Sequence, residues 1–195
     1  MARKGPVTTD TTTIALGLAQ IRVGASAANI TDIHGAFTAS DSIGALANTR
    51  FVGNTDWYRL ESGYPLIEDY IAPIREAAHL ECSFKEITPF NMAISMGIDA
   101  SAGGYALVHS GEVALGGRSA PDFIRMEALY TFPDGTSTML IVFPRAQVSA
   151  SVEVDLQSED AATVPIMIES KNASSDVSGG NAIWDDKPLG RIAWA

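Results

Sequence analysis

Three histidines, one cysteine and the adjacent acids Glu68-Asp69 and Glu159-Asp160 are the side chains of this 195-residue chain to weigh first for chemistry. His34, His79 and His109 lie in unrelated segments and read as surface or boundary residues rather than a set of metal ligands. Cys82 falls on the apolar side of an alternating run, which suits a buried, inert thiol better than a nucleophile. Glu68-Asp69 and Glu159-Asp160 fit solvated turns. The glycine pairs at 103–104, 116–117 and 179–180 lack the lysine and the strand-to-helix setting of a phosphate loop. Asn29-Ile30-Thr31 and Asn172-Ala173-Ser174 match a glycosylation acceptor pattern without a secretory context. No catalytic residue, cofactor site or metal site is assigned, and the chain is not expected to be an enzyme.

Composition narrows the class of partner. The formal charge of −10 and a pI near 4.6 disfavour a surface that grips nucleic acid. Such acidity serves solubility, or makes a wall that polyanions pass without sticking. Hydrophobic residues make up 46 %, enough for a core without disulfides, and one cysteine cannot form an intrachain bridge. That usage fits a reducing cytoplasm where the chain is made. No run approaches the ~20 apolar residues of a membrane span. The basic start, Met1 to Pro6, is not followed by the apolar block of a secretory signal.

The elements that would position any site are mostly strands. From Ile124 the residues Ile124, Met126, Ala128, Tyr130 and Phe132 alternate with Arg125, Glu127 and Thr131. Pro133-Asp134-Gly135-Thr136 is a hairpin signal, because a tight turn needs positive φ. The return strand, Met139 to Phe143, is nearly continuous in apolar residues, as when both faces are covered or one meets another protomer. After Pro144-Arg145 a third strand runs from Val148 to Leu156, and a fourth carries Val164, Ile166 and Ile168. Upstream, strands are expected over Ile14 to Val23, near Leu46 to Leu60, at Leu80 to Phe84 and at Ala106 to Leu115. Residues 1–12 read as a flexible arm, 24–44 as a weakly structured loop, and 172–195 as a C-terminal arm around a 13–171 domain. That arm must dock Trp184 and Trp194 on its own domain or on a neighbour.

Two further segments stand out. Thr88-Pro89 combines an N-cap with proline at the first helical position, and Phe90, Ala93, Ile94 and Gly97 share a face, so Thr88 to Met96 is predicted as a short helix ended by Gly97. Leu66 to Ala78 holds Leu66, Ile67, Tyr70, Ile71 and Ile74 yet contains Pro73, which argues for a loop. A loop so apolar either meets a partner or folds back on its own core.

Two blocks in this order resemble the tail tube (major tail) proteins of tailed bacteriophages. The first is Glu61-Ser62-Gly63-Tyr64-Pro65-Leu66, continuing through Glu81-Cys82-Ser83-Phe84-Lys85-Glu86-Ile87 and the helix from Thr88 to Ile94. The second is Tyr130 to Gly135, Ile141 to Ala146 and Asp160 to Glu169. The resemblance spans roughly residues 42–171. It implies a mainly β fold, a β-sandwich or partly open barrel flanked by one short helix, whose subunits form hexameric rings stacked into a tube for DNA delivery into the host. It implies the virion tail as location, synthesis in the host cytoplasm, and no cofactor. As partners it implies other copies of the chain, tape-measure, terminator and baseplate or tip proteins, and DNA that passes without specific binding. On this reading Leu66, Ile67, Tyr70, Ile71 and Ile74 reach the next ring, Trp184 and Trp194 anchor the arm, and Glu81, Ser83, Lys85, Arg125 and Glu127 face the lumen. The inner tube of a contractile injection or type VI secretion system shares these features. A monomeric sugar- or peptide-binding β-sandwich is the reading of a different class.

Overall fold

The computed structural model describes residues 17, 19–98, 112, 113, 115, 120–149, 152–154 and 162–195. Its elements, in chain order, are β1 (Gln20–Ala25), α1 (Ser26–Asn29), a 3₁₀ turn (Ala39–Asp41), β2 (Leu46–Ser62), β3 (Ile67–Phe84) and α2 (Pro89–Ser95). There follow β4 (Ile124–Thr131), β5 (Thr138–Val148), β6 (Val164–Ser170), a 3₁₀ turn (Ala182–Trp184) and β7 (Arg191–Trp194). The fold is mainly β. All seven strands join one antiparallel sheet in the order β1-β4-β5-β6-β3-β2, and β7 also pairs with β5. Among the described residues the sheet is not closed into a barrel, and β1 and β2 stand at its borders. The expected N-terminal arm, most of the Ala106 to Leu115 strand and much of the Val148 to Leu156 strand lie outside the described residues.

Alternation in the sequence builds the main core. Ile124, Met126 and Ala128 of β4 join Ile141, Phe143, Ala146 and Val148 of β5, Val164, Ile166 and Ile168 of β6, and Leu80, Cys82 and Phe84 of β3. Helix α2 adds Phe90, Ala93 and Ile94 to it. The Thr88 hydroxyl accepts from the Asn91 backbone N–H at 3.1 Å, a cap worth about 1 kcal/mol. Gly97 ends the helix at φ 74°, a conformation open to glycine at little cost. Desolvation in this core pushes the Cys82 thiol up to about 12, so it stays protonated.

The hairpin between β4 and β5 follows its sequence signal. Gly135 has φ 73°, and the Asp134 carboxylate accepts from the Thr136 and Ser137 backbone N–H groups and the Ser137 hydroxyl. Those bonds hold its pKa below the ordinary aspartate value, that from the Ser137 hydroxyl first. Past this turn the expectation of two strands separated by Pro144-Arg145 is corrected. β5 runs unbroken through both residues, which lie where its register with β4 shifts between Ile124 and Met126. A bulge there accommodates a proline that a regular central strand would reject.

A second cluster lies on the opposite face of β5. Ile30, Val142, Ala173 and Trp184 are buried together, with Ile33, Leu140 and Ile183 against them. The apolar run of β5 is therefore covered on both faces by its own chain. Residues 172–195 supply this cover: the Trp184 indole N–H donates to the Ile30 carbonyl at 2.6 Å, and β7 pairs Met139 through Val142 with Trp194 through Arg191.

Candidate protein interaction surface

The feature that the core does not explain is the length of β2 and β3. Cross-strand pairing holds them together from Leu46/Phe84 out to Ser62/Ile67. β6 accompanies β3 only from His79 to Phe84. Beyond Gly53/Ala78 the two strands continue as a ribbon that no third strand joins among the described residues. Leu66 to Ala78 is thus β-strand rather than the predicted loop, and the physical reason is local. Pro73 sits opposite Trp57 at a register shift, and its missing N–H costs little where the strand has one partner.

Of the residues expected to reach a neighbour, Leu66 is 69 % exposed, Tyr70 62 % and Ile74 69 %, and Ile67 and Ile71 are exposed with them. All five belong to the ribbon or its turn. The sequence reading expects a strand near Leu46 to Leu60 but gives it no part in a contact surface, although there Trp57 is 52 % and Tyr58 53 % exposed and Leu60 also faces solvent. The signal was present: Trp57-Tyr58 and Tyr70-Ile71 are adjacent pairs of large apolar residues, one for each side of a strand. Arg59 and Glu68 make an exposed ion pair at 2.6 Å across the ribbon.

The residues expected to line a lumen separate into two groups. Glu81, Ser83 and Lys85 lie on the partly or fully exposed side of β3 and just past its end. There Glu81 pairs with Arg50 at 3.2 Å and with His79 at 3.4 Å. Nearby, Lys171 pairs with Glu169 at 2.5 Å and the Ser149 hydroxyl donates to it at 2.7 Å. These bonds, Lys171 first, hold the Glu169 carboxyl below its ordinary range.

Arg125 and Glu127 are a correction. Both are 0 % exposed, so neither faces a lumen. The polar side of β4 is roofed by the segment after α1: Arg125 donates to the Asn29 and Asp32 carbonyls at 2.6 Å, and Glu127 accepts from the Ala36 and Phe37 backbone N–H groups. Trp184 is likewise fully buried in its own chain and is no anchor for another, whereas Trp194 is 67 % exposed on β7.

Among the described residues no cluster of histidine, cysteine, aspartate and glutamate is arranged to hold a metal ion, and no helix is long and apolar enough to cross a membrane. A cleft of about 350 Å³ at the root of the ribbon is lined by Arg75, Glu76, His79, Glu169 and Lys171 among others. With Glu169 held ionised by its partners, it is a poor proton donor.

These features define a mainly β protein whose sheet projects an unsupported apolar ribbon. No family model matches the chain, and no curated protein matches it. It is similar to a solved structure described as "Tail of empty GTA particle computed with helical refinement, C6 symmetry". The identity is 12 %, the match covers 80 % of this chain and 92 % of that chain, and the TM-score is 0.42. A likeness at that level establishes neither a shared family nor a shared activity.

Proposed function

We propose that this chain is a structural, non-enzymatic subunit of a bacteriophage tail tube, assembling as hexameric rings stacked around a channel for DNA. The observation that carries this reading is the ribbon from Asn54 to Ala78. A two-stranded hairpin is marginal in water by itself. This one keeps large apolar side chains exposed on both strands and, among the described residues, a free edge on each, a combination that invites aggregation unless partners cover it. Self-assembly removes both liabilities, since head-to-tail contacts close in a ring and stay open along an axis. The order of sequence elements shared with tail tube proteins supports the same reading.

In this assembly the ribbon reaches a neighbouring ring and the outward side of β3, with Glu81, Ser83 and Lys85, faces the channel. Arg50 and Lys171, near that side, are each held by a carboxylate, which leaves less free positive charge to arrest a sliding polyanion. Electron microscopy of the purified chain at rising concentration tests the proposal. Rings and tubes are expected. A strict monomer at every concentration would overturn it and favour a monomeric binding module.

A further inference from the structure

We infer that the ribbon is a two-sided bridge, each of its faces covered by a different copy of this chain. The inference rests on the self-assembly reading above and goes beyond it in stating how many neighbours one ribbon engages. It follows from the register. β2 advances without an inserted residue from Asn48 to Ser62, since the register shifts in the ribbon place their extra residues, Ile74 and Asp69, on β3. Side chains along β2 therefore alternate strictly, and each β3 partner shares the face of the residue it opposes.

The odd-numbered face begins in the domain core, where Thr49 is opposite Cys82 and Phe51 meets the Phe143 ring at 6.2 Å. It continues outward as Thr55 opposite Glu76, Trp57 opposite Pro73, Arg59 opposite Ile71 and Glu61 opposite Glu68, so that Trp57, Pro73 and Ile71 form an apolar patch between charged residues. The even-numbered face begins on the polar side with Arg50 opposite Glu81, then turns apolar as Tyr58 opposite Ala72, Leu60 opposite Tyr70 and Ser62 opposite Ile67. A ribbon lying on one partner would keep one face polar, as half-buried strands do. Here both faces carry exposed aromatic and aliphatic side chains, so one covering surface leaves the other face wet.

The areas agree with two partial contacts. Half-exposed side chains of this size offer about 100 Å² each, so the even face, with Tyr58, Leu60, Tyr70 and Ile67, presents on the order of 400 Å² and the odd face, with Trp57 and Ile71, on the order of 200 Å², each no more than about half of the roughly 800 Å² per partner in a standard interface. Residues 54–78 carry five carboxylates and two arginines, a net −3 within a chain of −10, so contact between copies is opposed by like charge and driven by apolar burial. Added salt must then strengthen it.

Hydroxyl-radical footprinting of the wild-type chain, assembled against dilute, tests the inference without any variant. Trp57 reports the odd face, and Tyr58 and Tyr70 report the even one. Several-fold protection of all three on assembly is expected. Protection of one face alone would overturn the bridge while leaving self-assembly intact, and absence of any oligomer would overturn both readings. Sedimentation of Trp57→Thr/Ile71→Thr and of Tyr58→Thr/Tyr70→Thr gives the second arm, with circular dichroism confirming the fold. Each pair is expected to leave a smaller oligomer held by the other face, and combining the four to leave monomer. A pair that assembles as wild type, or wild-type assemblies that dissolve as salt is raised, would overturn the inference.

Discussion

Arg125 and Glu127 stand two residues apart on one side of β4, both fully buried, with the guanidinium Nε and Nη2 at 2.8 and 2.7 Å from one carboxylate oxygen. Together they clamp the segment from Asn29 to Phe37 by its carbonyls and its amides. Removing one partner strands the other charge in the interior. Glu127→Ala or Arg125→Ala is expected to cost about 3–5 kcal/mol in denaturant unfolding, while the apolar pair Arg125→Met/Glu127→Leu costs less than either. A double variant as damaged as the single ones would show that the clamp on Asn29 and Phe37, not the charge balance, dominates.

Trp184 fastens the last 24 residues to the sheet by burial and by its bond to Ile30. Trp184→Ala is expected to lose about 3–5 kcal/mol in the same assay. Trp184→Phe should lose less, because the ring remains while the indole donor is gone, leaving the Ile30 carbonyl unpaired. Equal losses would place the energy in the hydrogen bond.

Cys82 gives an alkaline signature. Its folded pKa, about 12, lies above the ordinary thiol value of 9.0, so the folded state holds a proton that the unfolded chain releases. That stabilisation is full below pH 9 and is lost as pH rises toward 12, at up to about 1.4 kcal/mol per pH unit. Cys82→Ala should flatten the slope between pH 9 and 12, and the wild-type thiol should react with a disulfide reagent only at the rate of unfolding.

Glu169 works in the opposite direction. Its folded pKa is depressed, so its contribution is present above the unfolded carboxylate value and disappears as pH falls through the folded one. Lys171→Met should lower stability near neutral pH and shrink the further loss on acidification, since Glu169 then has less stabilisation to give up. Thermal unfolding between pH 6 and 3 reads this directly, and an unchanged profile would deny the pairing any weight.

Ile71→Asp/Ile74→Asp tests the ribbon from outside the core. Both residues are exposed, so monomer stability should change little, and tube formation seen by microscopy should cease. Tubes of normal length from that variant would remove the ribbon from assembly.

Local chemistry was legible in the residues themselves. Thr88-Pro89 and Gly97 bracket α2, and Asp134-Gly135 turns β4 into β5, because caps and positive-φ turns depend on neighbours within a few residues. The alternating runs also gave the inward side of β4 and β6, since a period of two admits one apolar face at a time. Pro73 does not break its strand: proline excludes only a strand paired on both sides, and pairing is not written in the strand's own sequence.

What the sequence by itself determined is the alternating strands β4 and β6, the turn at Asp134-Gly135, one capped helix and an apolar stretch around Tyr70 and Ile71 in need of cover. Only the tertiary structure decided that Arg125 and Glu127 are interior, that Trp184 is held within its own chain, and that β2 and β3 outrun the sheet together. The physical reason is that burial of a polar face or exposure of an apolar one depends on which distant segment lies over it, and periodicity reports a side chain's direction, never what it meets there.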